Sequence, residues 1–210
     1  ALGDGGAPFA LLMVDLDRFK FVNDTFGHAV GDTLLVSVCQ RLRTVCDAND
    51  LPFRFGGDEL CVLSTRGRDE TLALSENIVT ALSQPYRIGE ESTSVGCSVG
   101  VAFAEKGADP KTVQQMADLA LYRAKESGRG RVETYQEGMI EEAAQRRRLE
   151  NDLNIALEAG QFELHYQPIF DLPDRKLTGF EGLIRWRHPE RGLLRPAELT
   201  PFAEQSGLLI

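Results

Sequence analysis

Apolar runs and helical repeats alternate along the first 136 residues of the chain. The run Phe9–Val14 is continuously apolar, which predicts a strand buried on both faces. A short helix is expected over Arg18–Asn23. A longer helix begins at Gly31-Asp32-Thr33, because leucine and valine then recur at helical spacing as far as Val45. The chain is therefore predicted to start as a buried strand followed by two helices.

The next segment predicts a hairpin and the rest of one sheet. Two strand-like runs, 52–55 and 60–63, flank Gly56-Gly57, whose residue types favour a tight turn. The order of elements, β-α-α-β-β-α-β-β-α-β, indicates an α+β fold, an α-β sandwich in which the helices pack on one sheet. The remaining predicted elements are helices over 69–82 and 112–126, a strand pair over 86–88 and 92–104, and a closing strand over 131–135.

The pattern changes near Gly138. Residues 141–157 are charged and have a helical period, so 137–152 is expected to be a helical linker between a first domain, 1–136, and a second domain, 153–210. In the second domain, strands are predicted over 162–169 and 176–186, and a helix over 196–205.

Composition excludes several classes of protein. Apolar residues make up 42% of the chain and charged residues 26%, as in ordinary globular domains, and the net charge of −9 offers no surface for nucleic acid. No apolar stretch approaches the roughly 20 residues of a membrane span, so we expect a cytoplasmic segment without membrane contact, whose parent could be anchored through a missing N-terminal region. The cysteines lack metal-binding or disulfide spacing and are expected to be reduced: Cys39, Cys46, Cys61 and Cys97.

Two short acidic clusters carry the candidate chemistry. Asp15-Leu16-Asp17 follows the first apolar run, and Gly56-Gly57-Asp58-Glu59 forms the hairpin tip. Carboxylates at a strand end and at a hairpin tip can converge on one hard cation such as Mg²⁺, which also bridges to phosphates. Both clusters could instead be solvated turns, since Asp and Gly are common turn residues. Lys20, Asn23 and Asp32 favour the metal site, because together they can hold a phosphate and a base.

Three motifs in sequence order carry a family resemblance. The run from Asp15 to Asp32 matches D-x-D-x-F-K-x-x-N-D-x-x-G-H-x-x-G-D, residues 54–60 are R-F-G-G-D-E-L with Leu60 where Phe is usual, and residues 122–129 resemble Y-x-A-K-x-x-G-R. Over about residues 8–136 the chain therefore resembles GGDEF domains. The resemblance implies a diguanylate cyclase, which condenses two GTP into cyclic di-GMP and releases pyrophosphate. It also implies a ferredoxin-like fold, like the palm of nucleotide cyclases and polymerases.

The resemblance assigns roles to the acidic residues. It implies that Asp15, Asp58 and the Leu16 carbonyl hold Mg²⁺, or Mn²⁺ in its place. It further implies that Asp58 is the general base and that Glu59 supports a second metal or its water shell. The residue types fit the reaction, because joining a 3′-oxygen to an α-phosphate needs a metal to offset charge and a base to deprotonate the hydroxyl.

Other matched positions are expected to contact the phosphates. Lys20 matches a residue that stabilises charge in the transition state, and Lys125 and Arg129 match phosphate contacts at a helix end. Taken alone, Lys20 could be an exposed helix lysine, and the other two could be ordinary last-turn cations favoured by the helix dipole. Gly56 and Gly57 let the backbone approach the nucleotide where a Cβ would clash.

Asn23 and Asp32 match the pair that recognises guanine in the family. A carboxylate can accept from N1–H and N2–H₂ together, and an amide can satisfy the acceptors of the base, which explains GTP over ATP. Helix capping is the alternative for both residues, and Asp32 could do both. Asp17 and His28 are expected to hold the loop and are not placed in the site.

Two departures from the family pattern affect the expectations. Many of these cyclases carry an R-x-x-D site that binds product, but here Asp47 and Asp50 stand at the two positions, so the arginine is replaced by an acid. Carboxylates there should repel the dianionic product, and we expect no product inhibition through that site. The helix that normally precedes the first strand is also missing from 1–136, which is expected to lower stability.

The end of the chain carries a second resemblance. Tyr166-Gln167-Pro168-Ile169 and 179–189 resemble the start of EAL domains, which are Mg²⁺-dependent cyclic di-GMP phosphodiesterases with a TIM-like barrel. Glu181 matches their first metal ligand, and Gln167 and Arg185 match substrate contacts. Because such a barrel needs about 250 residues, this partial fragment is expected to have no phosphodiesterase activity.

The chain is therefore expected to be the cyclase module of a bacterial GGDEF–EAL signalling protein. Two protomers would face each other as a homodimer, each holding one GTP. One alternative is a GTP-binding sensor that regulates an adjacent EAL phosphodiesterase, and another is a degenerate scaffold. The complete acidic set, together with Lys20, favours catalysis, because binding GTP alone does not need a complete metal site.

Overall fold

The computed structural model describes residues 8–88 and 91–195. The chain divides into two compact units, Ala1–Ile140 and Glu141–Ile210. Within the described residues, neither unit shares a sheet or a buried cluster with the other, so each is described by itself. No helix in the described part of the chain is long and apolar enough to cross a bilayer.

The first unit is built on a five-stranded sheet in the order β2-β3-β1-β6-β7. All neighbours in it are antiparallel except β6 and β7, which are parallel. A separate two-stranded sheet joins β4 and β5. The elements are β1 Phe9–Asp17, α1 Phe19–Phe26, α2 His28–Val45, β2 Asp50–Gly56, β3 Glu59–Ser64, α3 Arg68–Leu82, β4 Tyr86–Ile88, β5 Glu91–Thr93, β6 Gly96–Ala104, α4 Pro110–Glu126 and β7 Val132–Thr134.

Side chains of the central strand β1 alternate between two buried layers. Leu12 and Val14 join the large cluster that also contains the apolar faces of α2 and α3. Met13 joins a smaller cluster formed with α4. Both faces of β1 are therefore covered, which explains its continuously apolar sequence and confirms the predicted buried strand. The helices thus lie on both sides of one sheet, which confirms the α+β sandwich.

Helix α4 packs very closely on β6 because Gly100 has no side chain. A Cβ at Gly100 would overlap the backbone at Leu121 and Ala117. This contact fixes the height of α4 over the sheet. The last turn of α4, which carries Lys125, is thereby brought to the same end of the sheet as Asp15.

Two element predictions differ from the structure. Helix α2 begins at His28 rather than at Gly31, since Gly27, with φ of 84°, makes the break between α1 and α2. The predicted strand over 92–104 is two strands, because the chain changes partner: β5 pairs with β4, whereas β6 pairs with β1 from Gly96 onward. The described residues of the first unit therefore form two sheets rather than one.

Over residues 141–195, the part of it that the structure describes, the second unit contains most of one helix and a three-stranded antiparallel sheet in the order β10-β9-β8. Trp186 is fully buried against Leu153 and Ala156 of the helix, and its Nε1 donates to Gln161 Oε1 at 3.0 Å. The helix runs without a break through the predicted linker boundary at 152/153. The predicted helix over 196–205 lies outside the described residues. The elements are α5 Met139–Glu158, β8 Phe162–Phe170, β9 Leu177–His188 and β10 Gly192–Leu194.

Candidate active site

The two acidic clusters meet at one end of the central sheet. Asp15 on β1 lies directly opposite Glu59 on β3, and Asp58 occupies the turn immediately before Glu59. Only 8% of Asp15 is exposed. Burial raises the pKa of Asp15, Lys125 lowers it, and the nearby carboxylates of Asp58 and Asp17 raise it again, leaving it above its ordinary value. The register of β1 and β3 therefore concentrates negative charge at this strand end.

Lys125 partly offsets this charge. Its Nζ lies 2.7 Å from Asp15 Oδ2, and its side chain is 32% exposed. The lysine comes from the last turn of α4, where a cation also interacts favourably with the helix dipole. The carboxylate of Asp15 is therefore already in contact with a cation.

A cleft of about 320 Å³ opens beside the hairpin tip, and we call it the hairpin cleft. It brings together five of the residues that the sequence predicts to be in the site, from three separate segments of the chain. Three further residues that the sequence analysis did not single out also line it. The lining residues are Phe19, Lys20, Asn23, Asp32, Leu35, Arg54, Gly57 and Asp58.

Arg54 holds the hairpin tip in shape. Its Nε and Nη2 both donate to the carbonyl of Gly57, at 3.0 and 2.7 Å. Gly57 has φ of 41°, a left-handed conformation that glycine adopts without strain. Because Asp58 follows Gly57 directly, this double hydrogen bond also restricts where the Asp58 carboxylate can lie. The sequence could have indicated a role for Arg54 in the site, because this residue lies two residues before the two glycines, inside the matched motif.

The helix-capping alternative for Asp32 is wrong. Helix α2 begins at His28 with Gly27 at its N-cap, so Asp32 lies in the second turn and is exposed toward the cleft. Asn23 lies in α1, where its backbone carbonyl accepts from Gly27 N at 2.9 Å. Its side chain lies against Gly31 and is free of a capping role at the start of either helix.

Arg129 does not line the hairpin cleft. It is exposed, has φ of 63°, and donates its backbone N–H to Ala124 at 3.0 Å in the loop after α4. The neighbouring Gly130 N–H donates to Asp17 Oδ2 at 3.0 Å, and Ser98 Oγ donates to Asp17 Oδ1 at 2.8 Å. Asp17 therefore ties the Arg129 loop to the strand end that carries Asp15.

The remaining predicted site residues take the following places. Gly56 ends β2, exposed, at an irregularity of the β2–β3 pairing between Arg54 and Gly56. Glu59 is half-buried at the first position of β3. The side chain of Leu16 is apolar and buried in the core, so a metal contact by this residue would have to come from its backbone carbonyl.

The residues at the strand end provide only part of a ligand set for Mg²⁺, which the phosphates of a nucleotide would complete. Among the residues that the structure describes, no group of three or more His, Cys, Asp or Glu side chains could hold a metal ion alone. Mg²⁺ commonly binds through one or two carboxylates plus substrate phosphates. The carboxylates of Asp15 and Asp58 could supply the protein share of such a set, and Asp15 already pairs with the Lys125 cation.

The acids at the family's product-binding positions are engaged internally. The side chain of Asp50 has no exposed surface, and its two oxygens accept from Arg66 at 2.6 to 3.2 Å and from Ser64 Oγ at 2.8 Å. Arg66 also pairs with Asp47 at 2.9 Å. The expectation that both carboxylates repel the product therefore needs correction. The Arg66 guanidinium neutralises part of their charge, and the Asp50 carboxylate is already paired with it.

In the second unit, the three residues matched to EAL domains lie on adjacent strands. Gln167 on β8 is directly opposite Glu181 on β9, and Arg185 is opposite Glu163. Gln167 and Glu181 are exposed, and Arg185 is half-buried. Since residues two or four apart share one face of a strand, all three side chains lie on the same face of this sheet.

Comparison with known proteins agrees with both resemblances. The family profile described as diguanylate cyclase, GGDEF domain, matches residues 2–131, and that of the EAL domain matches residues 150–210. The bifunctional diguanylate cyclase/cyclic di-GMP phosphodiesterase MucR of Pseudomonas aeruginosa is 39% identical over 204 residues, covering 96% of this chain and 30% of MucR. The cyclic di-GMP phosphodiesterase PdeR of Escherichia coli is 37% identical, covering 95% of this chain and 30% of PdeR. The chain thus spans less than a third of these relatives.

A solved structure agrees with the fold of the first unit. The GGDEF domain of TpbB (YfiN) from Pseudomonas aeruginosa superposes with a TM-score of 0.62 at 33% identity, over 66% of this chain and 83% of that domain. The matched share fits the extent of the first unit and its five-stranded sheet. The chain therefore belongs to the GGDEF diguanylate cyclase domain family, and part of an EAL domain follows its GGDEF domain.

Proposed function

We propose that this chain is a diguanylate cyclase module that condenses two GTP into cyclic di-GMP and two pyrophosphates. The observation that carries the proposal is the hairpin cleft. It combines Asn23 and Asp32 for a base, Lys20 for a phosphate and Asp58 at the tip, beside the paired Asp15 and Lys125. Solvated turns would not bring these side chains to one cleft.

Guanine recognition follows from the two polar residues of α1 and α2. The Asp32 carboxylate can accept from N1–H and N2–H₂ of guanine, and the Asn23 amide can donate to or accept from the base edge. Adenine has no matching pair of donors, so it would leave the Asp32 carboxylate without partners. Phe19 and Leu35 line the same cleft and supply apolar contact for the ring.

The strand end holds the triphosphate and the reacting oxygen. Asp15, Asp58 and the Leu16 carbonyl would hold Mg²⁺ with the phosphates of GTP. When bound, the metal would offset the phosphate charge and acidify the 3′-hydroxyl. Lys20, Lys125 and Arg129 add positive charge toward the phosphates. Asp58, which follows the Gly57 carbonyl held by Arg54, would accept the proton of the 3′-hydroxyl as general base, while Glu59 would support the water shell.

Turnover requires two protomers. Each 3′-oxygen of one GTP must attack the α-phosphate of the other, and one hairpin cleft offers one guanine site. Two copies of the chain must therefore face each other, at least transiently, so that both bonds can form. The rate per protomer should rise with protein concentration until the dimer is saturated.

The direct test is incubation of the chain with GTP and Mg²⁺, followed by chromatographic detection of cyclic di-GMP. Asp58→Ala is the matched control, because it removes the carboxylate at the tip while the Arg54–Gly57 contact remains. We expect product from the wild type, none from the variant, and equal melting temperatures. Product formation by Asp58→Ala at the wild-type rate would contradict the assigned site.

A second candidate function is a GTP sensor that regulates an adjacent EAL phosphodiesterase. PdeR, which matches 95% of this chain, is named as a phosphodiesterase, so a segment similar to this one also occurs in a protein that is not named as a cyclase. The two functions differ in one result. GTP binding without cyclic di-GMP formation, at protein concentrations where the dimer is populated, would favour the sensor.

A further inference from the structure

Gly31 lies in the first turn of α2 and is buried beneath the side chain of Asn23. A Cβ at this position would overlap Asn23 Oδ1 and would lie 3.0 Å from Asn23 Cγ and 3.3 Å from Phe19 Cζ. Both Asn23 and Phe19 line the hairpin cleft. The missing side chain of Gly31 therefore leaves a notch that the Asn23 carboxamide fills.

We propose that Gly31 is a positioning residue for guanine recognition, a role that rests on the proposed function. Asp32 directly follows Gly31 in the chain. The notch at Gly31 therefore holds the Asn23 carboxamide beside the Asp32 carboxylate, so that both groups face one base. A side chain at position 31 would push the carboxamide out of the notch. Gly31 thus contributes to the choice of base without contacting the nucleotide.

The kind of atom that a Cβ would meet distinguishes Gly31 from a packing glycine. At Gly31 the overlapping atom is the end of a polar side chain, which can swing away. At Gly100 the overlapping atoms are backbone atoms of α4, which cannot move separately. Glycine within a helix is also less favourable than alanine. Gly31→Ala should therefore preserve or raise stability while it weakens guanine binding, whereas Gly100→Ala should lower stability.

The experiment measures binding of 3′-deoxy-GTP and 3′-deoxy-ATP with Mg²⁺, because these nucleotides lack the attacking hydroxyl and cannot turn over. For Gly31→Ala we expect about a tenfold weaker Kd for 3′-deoxy-GTP, the scale of one lost hydrogen bond, with an unchanged Kd for 3′-deoxy-ATP. Its melting temperature should equal or exceed that of the wild type. In the Asn23→Ala background, Gly31→Ala should change the Kd for 3′-deoxy-GTP by less than about twofold.

Each other outcome overturns the inference. Wild-type affinity of Gly31→Ala for 3′-deoxy-GTP shows that the notch is irrelevant, and a full tenfold loss in the Asn23→Ala background shows that Asn23 does not transmit the effect. Equal loss for both nucleotides shows general damage. If Gly31→Ala fails to fold, the variant that combines it with Asn23→Ala is decisive. Folding of this double variant would show that the added Cβ clashes with the Asn23 side chain. Failure of both variants to fold would reject the inference. Absence of binding by the wild type would reject the proposed function as well.

Discussion

Lys125 Nζ lies 2.7 Å from Asp15 Oδ2, so a cation from α4 contacts the buried carboxylate that the family resemblance assigns to the metal. The resemblance also assigns Lys125 to a phosphate. Lys125 can pair with Asp15 and also contact a phosphate if it moves away from Asp15 when a nucleotide and its metal bind. Without a nucleotide, Lys125 and a divalent cation should therefore compete for Asp15.

Replacing Lys125 should separate metal binding from nucleotide binding. In Lys125→Met we expect Mn²⁺ to bind the nucleotide-free chain about fivefold more tightly, because a partly exposed ion pair contributes about 1 kcal/mol. GTP binding should weaken about tenfold, because a phosphate contact is lost. Electron paramagnetic resonance of free Mn²⁺ measures the first effect, and equilibrium dialysis of 3′-deoxy-GTP, which cannot turn over, measures the second.

Lys111→Met is the matched control for this prediction. Lys111 is an exposed lysine in the first turn of α4, at the opposite end of the helix from Lys125. Its replacement should leave both affinities within about twofold, since charges far apart on a solvated surface are screened. Weaker Mn²⁺ binding in Lys125→Met would show that the lysine supports the metal site instead of competing with it.

Arg54 should matter through geometry more than through charge. Two donors of one guanidinium meet the Gly57 carbonyl, and lysine cannot reproduce this planar fork. In Arg54→Lys we therefore expect kcat to fall about 10- to 100-fold, because Asp58 is less well held. Steady-state kinetics with GTP measures kcat and KM separately. An unchanged kcat with a raised KM would assign Arg54 to substrate binding alone.

Periodicity and local turn chemistry predicted most of the fold. A continuous apolar run identifies β1 because both its faces are covered, and glycines between two strand-like runs identify the β2–β3 hairpin. The division of the predicted strand over 92–104 could not be foreseen in the same way. It depends on which distant strand each half pairs with, and alternation of side chains is the same for either partner.

Motifs predicted which residue types belong to the site, but not how they are held. Lys20, Asn23, Asp32 and Asp58 line one cleft, whereas Arg129 lies on a loop tied to Asp17. The Arg54–Gly57 hydrogen bonds and the pairing of Arg66 with Asp50 depend on backbone approach and side-chain direction. The spacing of residues along the chain specifies neither the backbone approach nor the side-chain direction, so these contacts are visible only in the structure.

Product inhibition through the R-x-x-D positions should be absent. Arg66 and Ser64 already occupy the Asp50 carboxylate, and Asp47 supplies an acid where the family has arginine. Initial rates should therefore stay constant when cyclic di-GMP is added. Asp47→Arg, which restores an arginine at this position, is the matched variant for comparison. Half-inhibition of the wild type at low micromolar product would contradict the prediction.

The pairing of Arg66 with Asp50 should make stability depend on pH. Burial raises the pKa of Asp50, but hydrogen bonds from Arg66, the Asp47 N–H and Ser64 outweigh it and hold this pKa below its ordinary value. A carboxyl group with a lowered folded-state pKa stabilises the fold above its unfolded pKa, near 3.9. That contribution is lost as the pH falls through the folded-state pKa.

Replacing Arg66 isolates this contribution. Arg66→Met leaves the Asp50 carboxylate buried without its cation, so the free energy of unfolding at pH 7 should fall by about 3 kcal/mol. The deficit should shrink at pH 3.5, because burial raises the pKa of Asp50 once Arg66 is removed, so the variant can protonate this carboxyl group and no longer buries an unpaired charge. Urea denaturation at the two pH values measures both differences. The exposed Arg43, replaced in Arg43→Met, should change stability by no more than about 0.5 kcal/mol at either pH. A deficit of equal size at both pH values would mean that Arg66 stabilises the fold by packing, and that charge neutralisation of Asp50 contributes little.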